Sequence, residues 1–161
     1  MNTRKLKSHL QYKIPQIRLA ILREPANQPP LPPIRTPLDL EQYLEPMKYM
    51  SEENFLALHL NAHHGVIGFH IVSQGTLSAS LVHPREVFKA ALLSNAYCIV
   101  VAHNHPTGST CASSEDRATT RQLVRAGEII GVPILDHLIV TYREVASIRE
   151  SYPELFTEDI T

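Results

Sequence analysis

The architecture of this chain follows from the stretch Ala96-Tyr-Cys-Ile-Val-Val-Ala-His-Asn-His-Pro-Thr-Gly-Ser-Thr-Cys-Ala-Ser-Ser-Glu-Asp116. Its first seven residues form a short, β-rich apolar run, which predicts a buried strand that ends at His103. The polar loop after this strand leads into a helical pattern that begins at Ser114, continues to about Ile130 and is closed by Gly131. The stretch therefore predicts a strand, a polar loop and a helix in succession.

The rest of the chain supplies further strands and helices around this unit. Residues Ile14–Arg23 alternate as a strand does, and a segment from Pro25 to Pro37 holds half of the twelve prolines, which predicts an extended connector. Thr36, Pro37 and Asp39 are helix-start signals, so a helix is expected from Leu38 to about Tyr49. Strands are predicted at 53–60, 66–72, 134–140 and 145–148, and another helix at 84–94. We expect an N-terminal strand and proline-rich connector at 1–37, followed by one α/β domain at 38–161 with a mixed β-sheet flanked by helices.

Composition narrows the classes of partner. The chain has 161 residues, 43% of them hydrophobic, and its 15 basic and 16 acidic residues give a net charge of -1. This charge gives no general attraction for nucleic acid or acidic membranes, so a nucleic-acid contact would need a local basic patch. Apolar stretches fall well short of about 18 residues, so we expect a cytoplasmic protein without a membrane span. Two cysteines, Cys98 and Cys111, cannot form a disulfide framework.

Two histidines and an aspartate in the central stretch have the spacing of a metal site. Because residues two apart on a strand face the same way, His103 and His105 are expected to point together. The helix that starts near Ser114 can return Asp116 to the same point. Two nitrogens and one oxygen with a free fourth position form a catalytic zinc site, in which Zn²⁺ lowers the pKa of bound water toward about 7.

Other readings of these residues remain open at this stage. Ser113 and Asp116 also match a helix N-cap, with the carboxylate near the positive end of the helix dipole. Cys111 would close the site and make it structural if it were a fourth ligand. Ser113 is alternatively a hydrogen-bond donor to an oxyanion. A hydrolytic site also needs a general base, for which the candidates are Glu52, Glu53, Glu86, Glu115 and Glu128.

These residues resemble the RadC-like branch of the JAMM (MPN+) metalloproteases. His103, His105, Pro106, Ser113 and Asp116 match the JAMM pattern, and Asn104 and Gly108 match RadC-like additions to it. Further similarity lies in Gly75-Thr-Leu77, Val82-His-Pro-Arg-Glu-Val-Phe-Lys-Ala-Ala91, Ala126-Gly-Glu128, Leu135-Asp-His137 and Ser147-Ile-Arg-Glu150. The resemblance covers about residues 38 to 150.

The resemblance implies a fold, a cofactor and an activity. It implies an MPN/JAMM (cytidine-deaminase-like) architecture with Zn²⁺ held by His103, His105 and Asp116. It also implies a glutamate base, best matched by Glu53, with the adjacent Glu52 as the alternative, and a Ser113 that assists the reaction. The expected function is zinc-dependent hydrolysis of peptide or isopeptide bonds by metal-activated water, on a protein or peptide substrate.

Two other functions are carried as alternatives. RadC proteins usually have an N-terminal helix-hairpin-helix region linked to DNA, and the segment before residue 38 is too short to contain one, which weakens a role as a DNA-repair or DNA-processing accessory. A non-catalytic MPN binding scaffold is disfavoured by the intact ligand pattern. A zinc nucleobase deaminase is rejected, because the chain lacks both His-x-Glu and Pro-Cys-x-x-Cys.

Overall fold

A mixed sheet organises the computed structural model, which describes residues 33–75 and 82–157. Within these residues its five strands are β1 (Glu53–Leu60), β2 (Val66–Gly75), β3 (Cys98–Asn104), β4 (Ile134–Val140) and β5 (Val145–Ser147). Their spatial order is β2-β1-β3-β4-β5. The β3–β4 pair is parallel and the other three pairs are antiparallel, which confirms the mixed α/β sheet.

Helices cover both faces of this sheet. They are α1 (Glu41–Leu44), α2 (Pro84–Leu93), α3 (Ser114–Ile130) and α4 (Ile148–Ser151), with 3₁₀ turns at Pro37–Leu40, Glu45–Tyr49 and Pro153–Phe156. The helix α3 has the predicted bounds and ends at Gly131, whose φ of 78° is the left-handed conformation that terminates helices. It forms the crossover between the parallel strands β3 and β4.

The single helix predicted from Leu38 to Tyr49 is wrong. The structure has one α-helical turn there, α1, between two 3₁₀ segments. Pro46 explains the change from α1 to the second 3₁₀ segment, because proline has no N–H to donate to the i−4 carbonyl.

The strand expected to end at His103 runs one residue further, to Asn104, and starts at Cys98 rather than Ala96. The strand expected at 66–72 extends to Gly75. The predicted strand at 14–23, most of the proline-rich connector and the link at 76–81 lie outside the described residues.

Each face of the sheet has its own core. Phe55, Ala57 and Val101 pack with Phe88 of α2 and Leu123 of α3 on one face. Leu40, Leu44 and Met47 cover the other face, against alternate residues of β1 and β3. All seven residues of β3 are buried, which is why its first five residues, Cys98 to Ala102, are continuously apolar rather than alternating. No helix in the described part of the chain is both long and apolar enough to span a bilayer.

The buried His59 and the half-buried His70 link β1, β2 and α2 away from the predicted metal residues. Ser94 Oγ lies 2.8 Å from His59 Nδ1, His59 Nε2 lies 2.9 Å from His70 Nδ1, and His70 Nε2 lies 3.1 Å from the Glu86 carbonyl. The carbonyl only accepts, so His70 donates through Nε2, and its Nδ1 accepts from His59 Nε2. The lone pair of neutral His59 is then at Nδ1, toward the Ser94 hydroxyl, whose single proton is shared with the Ala91 carbonyl at 3.0 Å. The contacts of His70 with His59 and with the Glu86 carbonyl are therefore satisfied by neutral imidazoles.

Stability should fall between about pH 6.5 and about pH 4 because of this pair. Burial lowers the pKa of His59 to about 4, and the neighbouring His70 acts in the same direction. Burial also lowers the pKa of His70, against the Glu86 carbonyl. In this window the unfolded chain binds more protons than the folded chain, so this contribution is complete above the unfolded pKa of about 6.5 and is lost as pH falls.

Urea unfolding at about pH 7.5 and about pH 5 measures the effect. A His59→Gln variant should be less stable at the higher pH and lose less free energy of unfolding on acidification than the parent chain. The exposed His63 is the matched control, and His63→Gln should leave the pH dependence unchanged. An equal loss in the His59 variant and the parent would refute the assignment.

Candidate metal centre

The predicted ligands meet where β3 ends and α3 begins. His103 Nε2 lies 2.9 Å from His105 Nε2 and 3.2 Å from Asp116 Oδ1, and His105 Nε2 lies 3.6 Å from Asp116 Oδ2. With one ligand atom taken from each residue, these atoms all lie within 4.8 Å of one another. The strand buries His103 completely, whereas the side chains of His105 and Asp116 keep 13% and 12% of their exposure. The site is therefore open on one side.

A buried chain of hydrogen bonds fixes the tautomer of His103. Thr120 donates its hydroxyl proton to the Asp116 carbonyl at 2.6 Å and lies 2.7 Å from His137 Nδ1, and His137 Nε2 lies 2.8 Å from His103 Nδ1. Since the Thr120 proton is used, His137 donates through Nδ1 and accepts at Nε2 from His103. Burial holds the pKa of His137 well below its usual range, so His137 is neutral. The free lone pair of His103 is consequently at Nε2, toward Asp116.

The second histidine is oriented by the backbone. His105 Nδ1 lies 2.7 Å from the Ser109 carbonyl, which can only accept, so Nδ1 carries the proton. In neutral His105 the lone pair is then at Nε2, and it points to the same place as the Nε2 lone pair of His103. Histidine ligands of metals typically donate their other ring nitrogen in this way.

Three acceptor groups thus converge and repel one another unless a cation separates them. Hydrogen bonding to Asp116 raises the pKa of His105, against its burial. Burial opposes ionisation of Asp116, but its contacts with the His103 and His105 imidazoles and with the Ser113 hydroxyl outweigh burial and hold the pKa of the carboxylate well below its usual range. In the chain alone a proton on His105 relieves the repulsion, and a divalent cation would do so for all three groups.

The donor set fits zinc. Tetrahedral Zn²⁺ with bonds of about 2.0–2.1 Å places its ligand atoms about 3.3 Å apart. The His103–His105 and His103–Asp116 Oδ1 contacts are 2.9 and 3.2 Å, and one ligand atom from each of the three residues lies within 4.8 Å of the others. Two imidazoles and one carboxylate are zinc ligands of intermediate softness. Cys111 is exposed and is not part of this cluster, so the described residues supply three ligands.

Asp116 serves the helix and the cluster together, so the two sequence interpretations are compatible. Its Oδ2 accepts the Ser113 N–H at 2.8 Å and the Ser113 hydroxyl at 2.6 Å, while Ser113 Oγ accepts the Asp116 N–H at 3.1 Å. This is a capping box, and it leaves Oδ1 directed at His103. The hydroxyl proton of Ser113 is therefore used to orient Asp116, and an oxyanion contact would require the hydroxyl to rotate.

Among the glutamates, Glu53 is placed toward the cluster. Phe55 pairs with His103 across β1 and β3, and the two rings are stacked with 6° between their planes. Glu53 is two residues before Phe55 and so shares its face of β1. Its charge contributes to raising the pKa of His105, after the stronger effect of Asp116.

The remaining glutamates differ from Glu53 in their surroundings. Glu52 precedes β1 and is exposed. Glu86 pairs with Lys89 at 2.6 Å, and Glu115 accepts from Ser114 at 2.9 Å. Glu128 is exposed near the far end of α3.

Gly108 allows the ligand loop to pack closely on Tyr142. A Cβ at this position would lie 2.5 Å from Tyr142 Cε1, and the φ of Gly108 is 82°. The Gly108 N–H donates to the His105 carbonyl at 3.0 Å. Gly108 therefore belongs to the turn that carries His105, and a side chain that pushed Gly108 away from Tyr142 would disturb this turn.

We expect Gly108→Ala to weaken zinc binding about ten-fold, as a disturbed outer shell does. Gly131 is the matched control, because its φ is 78° but nothing lies within 4 Å of a Cβ there. Both alanine variants should lose about 1–2 kcal/mol of stability from the left-handed backbone. Gly131→Ala should leave zinc affinity unchanged, and adding Tyr142→Ala should restore it in the Gly108 variant. Chelator competition measures the affinities, and equal affinity in both glycine variants would contradict the role of the contact.

The sequence pattern did not reveal the residues that orient the candidate ligands without themselves facing the point where the three ligand atoms converge. It gave neither His137 nor Thr120 a role, yet these residues fix the His103 tautomer. The run Leu135-Asp-His137 was the available signal. The spacing gave no indication that β4 lies beside β3, because the two strands are 34 residues apart at the His103–His137 contact.

Comparison with known proteins assigns the family. The RadC-like JAB domain model matches residues 34–153. A UPF0758 protein of Symbiobacterium thermophilum is 50% identical over 110 residues, which are 68% of this chain and 47% of the relative. UPF0758 proteins of Halalkalibacterium halodurans and Moorella thermoacetica are 43% and 45% identical over 118 residues, 73% of this chain and 51% and 52% of the relatives. The chain thus spans about half the length of these relatives. It belongs to the RadC-like JAB domain family.

Proposed function

We propose that this chain is a zinc-dependent hydrolase of peptide or isopeptide bonds, acting on a protein or peptide substrate. The observation that carries the proposal is the convergence of three lone pairs, from His103, His105 and Asp116, at a point that remains partly open to solvent. His103 and His105 are held in the ligand tautomer by the contacts with His137 and Ser109. A zinc ion at this point would act as a Lewis acid that polarises a scissile carbonyl and activates water.

Glu53 is the proposed general base. It shares the face of Phe55 and therefore of His103, and its charge is felt by His105. A carboxylate in this position can accept a proton from the attacking water and return it to the leaving amine. Its partial exposure leaves room for substrate on the same side.

We propose that Ser113 has two successive roles. It holds Asp116 through the capping box, and its hydroxyl would stabilise the developing oxyanion after rotating from Oδ2. The backbone N–H of Ser113 keeps its bond to Asp116 in either position.

The proposal is tested by metal content, metal position and cleavage. Protein reconstituted with zinc should hold one ion per chain, and anomalous diffraction at the zinc edge should place it between the imidazoles of His103 and His105. Mass spectrometry of a peptide library and of lysine-linked isopeptides should show zinc-dependent cleavage. Zinc bound elsewhere, or an open coordination position filled by a protein atom, would refute a hydrolytic site.

A further inference from the structure

The Asn104 side chain lies between the two histidine ligands in sequence but faces a different segment. Its Oδ1 accepts the Asn54 N–H at 2.7 Å, and its Nδ2 donates to the carbonyls of Glu52 and Met50 at 3.0 and 3.3 Å. All three bonds go to the segment Met50–Asn54, which is about fifty residues away in the chain. Asn104 is 2% exposed.

The orientation of this amide is unambiguous. A flipped amide would place Nδ2 against the Asn54 N–H and Oδ1 against two carbonyls, so all three contacts would become repulsive. The side chain imitates a peptide group and continues the hydrogen-bond ladder between β1 and β3 beyond the Phe55–His103 pair.

These bonds enclose Glu53. The Asn104 amide donates to the Glu52 carbonyl and accepts from the Asn54 N–H, so the backbone on both sides of Glu53 is held to β3. The same stretch of β3 carries His103, and His105 follows it directly. Any displacement of the Glu53 backbone away from β3 must therefore break bonds to Asn104.

We propose that Asn104 is a positioning residue that sets the location of the Glu53 carboxylate relative to the metal ligands. The inference rests on the proposed role of Glu53. Asn104 does not touch the cluster itself, because its side chain projects to the opposite face of β3 from His103. Its effect is transmitted through the backbone of residues 52–54.

The experiment uses the chain loaded with Co²⁺, whose visible absorption changes with pH as the open coordination position titrates. The variants are Asn104→Ala, Asn104→Asp, Glu53→Gln and the double variant of Glu53→Gln with Asn104→Ala. Asn104→Asp is nearly isosteric and keeps the acceptor for Asn54, but it has no donor for the two carbonyls. Circular dichroism checks folding, and the aspartate variant supplies the test if the alanine variant does not fold.

Cobalt affinity should stay within about three-fold of the parent in the Asn104 variants, since all three ligands are present and the Asn104 side chain is not one of the outer-shell groups that hydrogen-bond a ligand. The pH midpoint of the absorption change should move by about one unit in Glu53→Gln, because the substitution removes a negative charge close to the open coordination position. The Asn104 variants should move it in the same direction. The double variant should match Glu53→Gln alone.

Three results would overturn the inference. One is an unchanged midpoint in both Asn104 variants when Glu53→Gln shifts it, which would leave the proposed function standing. Another is a shift in the double variant equal to the sum of the single shifts, since Asn104 would then act independently of Glu53. An unchanged midpoint in Glu53→Gln would remove Glu53 from the site and overturn both this inference and the proposed base.

Discussion

Replacing Glu53 by glutamine should reduce turnover by about 10²- to 10⁴-fold, the range for loss of a general acid or base. Glutamine has nearly the shape of glutamate and keeps an oxygen that can accept a hydrogen bond, but it cannot take up the proton. The zinc content should be unchanged, because Glu53 is not one of the three clustered ligands. The measurement is kcat/KM on the best substrate from the peptide and isopeptide screen, alongside elemental analysis of zinc.

Glu52 provides the matched control for this substitution. It carries the same side chain one residue away, is exposed, and precedes the strand that holds Glu53. Glu52→Gln should change kcat/KM less than two-fold, within the effect of about 0.5 kcal/mol expected of a surface site. If the losses in the two variants are reversed, Glu52 is the base, and if both variants retain full turnover, neither glutamate is.

Replacing Asp116 by asparagine should lower zinc affinity by about 10²-fold or more, since even outer-shell substitutions cost about 10- to 100-fold. The substitution removes the negative charge that balances the metal and converts one carboxylate oxygen into an amide nitrogen. The helix start should survive, because the remaining amide oxygen can still accept from the Ser113 N–H. Competition with a chromophoric chelator measures the affinity, and circular dichroism confirms that α3 is retained.

Ser113→Ala separates the capping role from the metal role. This variant loses the hydroxyl that accepts the Asp116 N–H, at a cost of about 1 kcal/mol in stability, but retains the carboxylate. Its zinc affinity should fall by less than that of the asparagine variant. An asparagine variant that binds zinc as tightly as the parent would show that Asp116 is only a helix cap.

Much of the fold can be predicted because its main elements have strong local signals. The helix α3 has a capping box at its start and a glycine at its end, and β1 alternates between two buried faces. The segment from Leu38 to Tyr49 has the start signals of a helix, but Pro46 removes a backbone donor within it. Local propensity cannot show how the chain continues past such a break, since tertiary packing against the sheet decides it.

The candidate site was predictable to the extent that its residues are close in sequence. His103, His105 and Asp116 lie on one strand, loop and helix start, so their convergence follows from elementary geometry. The contributions of His137, Thr120 and Asn104 depend on strand order, which spacing does not determine. The choice between capping and ligation at Asp116 could not be made from spacing, because a carboxylate has two oxygens, and here Oδ2 accepts from Ser113 in the capping box while Oδ1 faces His103.

Asp116 belongs both to the capping box of α3 and to the candidate metal cluster, and this double role bears on how the fold can change over evolutionary time. A lineage that gave up the proposed hydrolysis would no longer need a metal ligand at this position, but it would still need an acceptor at the first turn of its longest described helix. Purifying selection on foldability should then retain Asp116 after selection on chemistry has ended. We expect the exposed edge of His105 to diverge first in such a lineage and the carboxylate to persist as a relic of the lost activity.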